Sequence, residues 1–179
     1  VGSEMCIRDR LSSIKRFGMK ENQSVAIFGC GPVGLTFIRF MSLLGIYPIL
    51  AFDVVPEKLK EAKSCGAAYV FNSRTENVKD AVRTICPEGV QHVVDAVGIS
   101  SLITQAMELI CDTGQICCYG IAPNLSMELD WSKAPYNWKM HFQQFPSKKE
   151  EGEATNQILA WIQSGAIDLK LSLIHISEP

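Results

Sequence analysis

Short apolar runs alternate with segments of about ten residues that carry helical character, and this alternation limits the fold more than any other feature. Ser24–Phe28 (SVAIF) reads as a strand, Val33–Leu44 as a buried helix, Ile49–Phe52 (ILAF) as a second strand and Pro56–Cys65 as a second helix. In that helix Leu59 and Ala62 face inward while Lys58, Lys60, Glu61 and Lys63 stay wet, and Gly66 stands where a left-handed cap belongs. Tyr69–Phe71 then predicts a third strand and Val78–Ile85 a third helix. Val93 and Val94 centre a fourth strand ending at Asp95, Leu102–Ile110 is a fourth helix, and Gln115–Tyr119 a fifth strand. Strands apolar on both faces and joined by helices imply a parallel sheet covered on both sides. Right-handed crossovers then leave the α/β doubly wound (Rossmann) sheet as the natural architecture. Beyond Ile121, residues 122–139 read as an excursion loop, Met140–Phe142 as a sixth strand, and Glu151–Ser164 as an amphipathic helix with Ile158, Leu159 and Ile162 at core spacing.

Between the first strand and the first helix lies Gly29-Cys30-Gly31-Pro32-Val33-Gly34, a G-x-G-x-x-G pattern. That pattern alone is weak; in this position each glycine has a task. Gly29 allows the tight turn, Gly31 lets the backbone approach a pyrophosphate, and Gly34 lets the helix pack close to the sheet. Pro32 suits a first helical position, and the helix N-terminus offers unpaired N–H groups to a diphosphate. Asp53 ends the second strand nineteen residues after Gly34. A carboxylate there accepts hydrogen bonds from an adenosine ribose and repels a 2'-phosphate, which favours NAD over NADP. Its ordinary alternative is a solvated strand end. Lys58 is either a second ribose contact or an exposed helix lysine. Asp95-Ala96-Val97-Gly98 and Gly120-Ile121 close the fourth and fifth strands, where they would meet the nicotinamide half; Asp95 itself reads equally as a turn or capping residue.

Composition narrows the rest. The 179 residues allow one well-buried domain, and 47% hydrophobic with 20% charged residues is a globular balance. With a net charge of -2 and no basic block, neither nucleic acid nor an anionic membrane is expected as a partner. Val33–Phe52 has the length of a membrane span but is broken by Arg39, Gly45 and Pro48. No signal-peptide core opens the chain, so a cytoplasmic location is expected. The seven cysteines include no C-x-x-C pair and read as reduced, mostly buried thiols, with Cys117 and Cys118 pointing to opposite faces of a strand. His92 reads as the start of a strand, and neither it nor His141 is spaced as a metal ligand.

The first ten residues, VGSEMCIRDR, show no strand or helix period, and the last eight, SLIHISEP, follow a helix without domain closure. Both resemble translated sequencing-adaptor read-through. They are expected to be non-native, with His175 set aside and residues 11–171 forming the cofactor-binding domain of a truncated protein.

The combination GCGPVGL, FDVVPEKLKEAKSCGA, VVDAVG and GQICCYGIA resembles the medium-chain dehydrogenase/reductase family, in its zinc-dependent alcohol and polyol dehydrogenase branch. The resemblance covers about Gly18 to Lys170. It implies that Gly29 to Gly34 hold the pyrophosphate, Asp53 and Lys58 the adenosine ribose, and Val97, Gly120 and Ile121 lie near the nicotinamide. It also implies a hydride transfer between an alcohol and NAD. The catalytic zinc would lie in a separate domain, since no G-H-E segment and no four-cysteine lobe is present. No catalytic residue is therefore assigned within this chain, and alone it is expected to bind cofactor weakly or not at all. Members of the family pair through the edge of this sheet, which suggests a homodimer or homotetramer. Two alternatives fit the glycine loop less well: a non-catalytic dinucleotide-binding module and an S-adenosylmethionine-dependent methyltransferase.

Overall fold

The computed structural model describes residues 3–121, 126–142 and 145–168. Six parallel strands form one sheet in the order β3-β2-β1-β4-β5-β6: β1 (Val25–Phe28), β2 (Ile49–Asp53), β3 (Tyr69–Asn72), β4 (Val90–Asp95), β5 (Ile110–Cys118) and β6 (Lys139–Phe142). The helices are α1 (Ser3–Arg16), α2 (Pro32–Leu43), α3 (Pro56–Cys65), α4 (Val78–Ile85), α5 (Ser100–Met107) and α6 (Lys148–Gln163). This is the doubly wound α/β order, with its switch point between β1 and β4.

Two apolar layers sandwich the sheet. Val25, Ile27, Ile49 and Val94 pack with α1, α2, α3 and Ala154 of α6, while Ala26, Phe28, Leu50, Phe52 and Val93 pack with α4 and α5. The strands bury both faces, so their sequences are apolar without alternation. Cys117 joins the first layer and Cys118 the second, as their adjacency on a strand requires. Cys30, Cys65, Cys86, Cys111, Cys117 and Cys118 are free thiols. Local signals set the ends of α3 and α6. Gly66 takes φ +118 and closes α3. Ser147 and Glu150 form a reciprocal capping box at the start of α6. Arg16 grips Glu150 from α1 at 2.5 and 2.6 Å.

Four expectations need correction. Residues 3–10 are helical, as the first part of α1. Its inward positions Ile7, Leu11 and Ile14 share one helical face, a period visible only when residues on both sides of position 10 are taken together. α5 ends at Met107 rather than Ile110, which instead opens β5, because an apolar run such as Leu109-Ile110 suits a strand as well as a helix. Leu159 is 49% exposed; the residues of α6 that pack inward are Ala154, Ile158 and Trp161. His92 lies inside β4 rather than opening it. The expected loop over 122–139 is described from residue 126, and includes a short 3-10 turn at Trp131–Lys133. The tail containing His175 lies outside the described residues.

Candidate functional site: the carboxyl edge of the sheet

β1 leaves the sheet through Gly29, whose φ of +91 suits glycine and whose N–H donates to the Phe52 carbonyl at 2.9 Å. A side chain here would come within 2.7 Å of Val97 Cγ2. Gly31 precedes α2 with extended backbone, no side chain caps the helix, and Pro32 takes its first position. The Leu35 N–H already bonds to the Gly31 carbonyl, which leaves the Val33 and Gly34 N–H groups without the usual partner inside the helix. The dipole and the N–H donors of such an uncapped helix start are suited to receiving an anion. The two later glycines differ in purpose. A Cβ on Gly31 would meet nothing within 4 Å, whereas one on Gly34 would lie 1.8 Å from the Gly29 carbonyl oxygen. Gly34 serves the packing of helix on sheet, whereas Gly31 faces open space. Half-buried Val33 packs against the core.

Cys30 points inward, with its Sγ 3.8 Å from the Phe52 carbonyl. Burial pushes its thiol up to about 12, the Asp53 charge adds to the rise and Lys58 opposes it. It is not a nucleophile. Asp53 is half-buried at the end of β2, and it is not merely a solvated strand end. Its Oδ2 accepts from the Cys30 N–H at 2.7 Å and its Oδ1 from the Val55 N–H at 2.9 Å. Exposed Lys58, in the first turn of α3, carries its charge close enough to be felt at Cys30.

Asp95 is 2% exposed, and its carboxylate is turned into its own loop: it accepts from the Val97 N–H at 2.9 Å and the Gly98 N–H at 3.0 Å. Of the readings open for Asp95, the structure realises the turn residue. Its carbonyl accepts from the Tyr119 and Gly120 N–H groups, which joins the β4 and β5 loops. A Cβ on Gly120 would lie 2.2 Å from the Gly98 nitrogen, so the two loops touch backbone to backbone. Gly120→Ala is therefore expected to separate them and lower the melting temperature by several degrees in a thermal scan; an unchanged melting temperature would contradict the contact. Val97 and Ile121 form an apolar rim, 40% and 72% exposed.

The predicted site residues thus collect along four adjacent strands, β2, β1, β4 and β5. Three interstrand spacings put about 14 Å between the outer two, an edge fit for a ligand with two halves. His141 stands on β6 opposite Cys117, and His92 lies farther from this edge. His92 sits level with Val25, at the opposite end of β1 from the glycine loop. Its Nδ1 accepts from Gln115 and its Nε2 donates to Gln23 at 2.7 Å, a pairing that fixes a neutral ring. Burial, with a smaller push from His141, lowers its pKa to about 4. Because the folded value is below the usual one near 6.5, the fold gains about 3 kcal/mol from neutral His92, fully present above about pH 6.5 and lost as the pH falls toward 4. The stability difference between the wild type and His92→Gln should narrow across that window; a pH-independent difference would contradict the assignment. Among the described residues no group of three His, Cys, Asp or Glu side chains is arranged to hold a metal ion.

A family model described as zinc-binding dehydrogenase matches residues 32–146, more than half of the chain. The chain belongs to the zinc-binding dehydrogenase family. An erythritol/L-threitol dehydrogenase of Mycolicibacterium smegmatis is 26% identical over 123 residues, which is 68% of this chain and 34% of that protein. An L-threonine 3-dehydrogenase of Sinorhizobium medicae is 27% identical over 154 residues, 86% of this chain and 44% of the relative. Among solved structures, the alcohol dehydrogenase of Thermus sp. ATN1 superposes with a TM-score of 0.77 at 27% identity, over 91% of this chain and 46% of that one. The chain therefore spans less than half the length of these three proteins. The part it spans is the cofactor-binding domain, as its sheet order and glycine loop require.

What sequence reasoning missed is the link from Asp53 to the Cys30 amide. The two residues are 23 apart, and no local pattern marks a carboxylate that bonds to a neighbouring loop.

Proposed function

We propose that this chain holds NAD(H) for a dehydrogenase acting on a small alcohol or polyol. The observation that carries the reading is the open space at Gly31, at an uncapped helix start, with the Asp53 carboxylate beside it. The Val33 and Gly34 N–H groups would hold the diphosphate. Each Asp53 oxygen has accepted one hydrogen bond and keeps capacity for a ribose hydroxyl. Lys58 would add a second contact to that ribose. Val97 and Ile121 would shield one face of the nicotinamide from water, with Gly98 and Gly120 holding the two loops together beneath it. When bound, NAD supplies the hydride acceptor for alcohol oxidation. Zinc finds no ligand set among the described residues, and we assign it to the catalytic domain expected outside this chain.

The names of the relatives favour an alcohol or polyol substrate over the methyltransferase and non-catalytic readings. No described helix is long and apolar enough to cross a membrane, in keeping with the cytoplasmic location proposed here. β6 forms an edge of the sheet, and pairing of two copies there would give the homodimer.

Fluorescence titrations with NADH and with NADPH test the cofactor choice. NADH is expected to bind at least tenfold more tightly, because a 2'-phosphate would face the Asp53 charge. Equal affinities, or a preference for NADPH, would overturn the assignment of NAD.

A further inference from the structure

We propose that Asp53 is also a positioning residue for the glycine loop, so that the ribose and diphosphate subsites form one coupled unit. The proposal rests on the dinucleotide reading above. Residues 29 and 30 are tied to residues 52 and 53 by the Gly29 N–H on the Phe52 carbonyl at 2.9 Å, the Cys30 Sγ near the same carbonyl, and the Cys30 N–H on Asp53 Oδ2 at 2.7 Å. The Asp53 bond is the one made by a charged side chain, and charge-assisted bonds are the stronger kind. Asp53 Oδ1 accepts from the Val55 N–H, which fixes the carboxylate against its own strand end. The loop turns sharply at Gly29, with φ +91, just before the open start of α2. Without an acceptor, the Cys30 amide would have to turn outward to find water, and the open start of α2 beside it would shift.

The consequence runs against simple charge reasoning. Asp53 is a negative group beside a site for a negative diphosphate, so removing its charge should strengthen a diphosphate that makes no ribose contact. Loss of the loop tether should weaken the same ligand. The two effects have opposite signs, and a ligand without ribose hydroxyls separates them. A change of preference toward NADP by substitution at residue 53 alone should also cost affinity for both cofactors, because the substitution frees the loop.

The test compares wild type, Asp53→Ala and Asp53→Asn in the intact chain, with ADP and 2',3'-dideoxy-ADP as probes. Amide hydrogen exchange is followed at Cys30 and, as a reference, at Ile27 inside β1. Asp53→Ala is expected to weaken dideoxy-ADP at least fivefold and to speed exchange at Cys30 at least tenfold, with Ile27 unchanged. Asp53→Asn, which keeps one oxygen acceptor, should fall between, and it serves alone if the alanine variant does not fold. Unchanged or tighter dideoxy-ADP binding overturns the proposal, as does unchanged exchange at Cys30 or equal acceleration at Ile27. If the wild type binds neither nucleotide, the exchange rates at Cys30 and Ile27 alone decide whether Asp53 positions the loop.

Discussion

Gly34→Ala is expected to lower the melting temperature by about 10 °C, or to prevent folding, before any question of binding arises. The added Cβ would lie 1.8 Å from the Gly29 carbonyl oxygen and 2.9 Å from its carbon. Both atoms are backbone, so no rotamer change relieves the clash, and α2 must move off the sheet. Overpacking of well-packed interiors costs typically 1–3 kcal/mol and occasionally more, and a clash with rigid backbone belongs at the upper end, about 3 kcal/mol or above. Each kcal/mol is worth roughly 2–4 °C in a domain of this size. α2 also carries Phe37, Ile38 and Met41, all fully buried, so its displacement opens the core layer over β1 and β2. Thermal unfolding followed by circular dichroism checks this. A melting temperature within about 2 °C of the wild type would show that α2 does not need its close approach to Gly29.

Gly31→Ala should do the reverse. Its backbone angles, φ −71 and ψ −175, are open to alanine, and the new methyl group would meet nothing within 4 Å. The fold should keep its stability to within about 1 kcal/mol, the usual cost of placing alanine at a helix cap. The methyl group would occupy the space that the ligand needs for close approach to the backbone. NADH affinity is expected to fall at least tenfold, about 1.4 kcal/mol or more. The pair of substitutions therefore divides the motif into a glycine for the fold and a glycine for the ligand. Gly31→Ala binding NADH as the wild type does would remove Gly31 from the site.

The turn at Gly29 and the close approach at Gly34 were legible because the motif is local. A strand, a turn that needs positive φ and a helix start follow one another within ten residues, and the task of each glycine follows from its place. α3 and α4 were both readable, the first from Pro56, its charged outer face and Gly66, and the second as the helix that the strand–helix alternation places at Val78–Ile85. Where the outcome depends on tertiary packing, the sequence says less. Leu109 and Ile110 are apolar in either a helix or a strand, and it is pairing with Val90 that draws Ile110 into β5. Ile7 counts as part of a helical face only together with Leu11 and Ile14. Asp53 was recognisable as a strand-end carboxylate, but its hold on Cys30 depends on β1 and β2 lying side by side. Asp95 could be a ligand or a turn residue from its position alone, and the N–H groups of Val97 and Gly98 decide it.

The most direct test of the central claim, that the carboxyl edge of this sheet is a dinucleotide site, is an amide NMR titration of the chain with NADH into the millimolar range. Saturating shifts should concentrate at residues 29–34, 53–58, 95–98 and 119–121, with the opposite end of the sheet, around Val25 and His92, unaffected. Saturating shifts elsewhere, in a chain whose spectrum shows it to be folded, would contradict the claim.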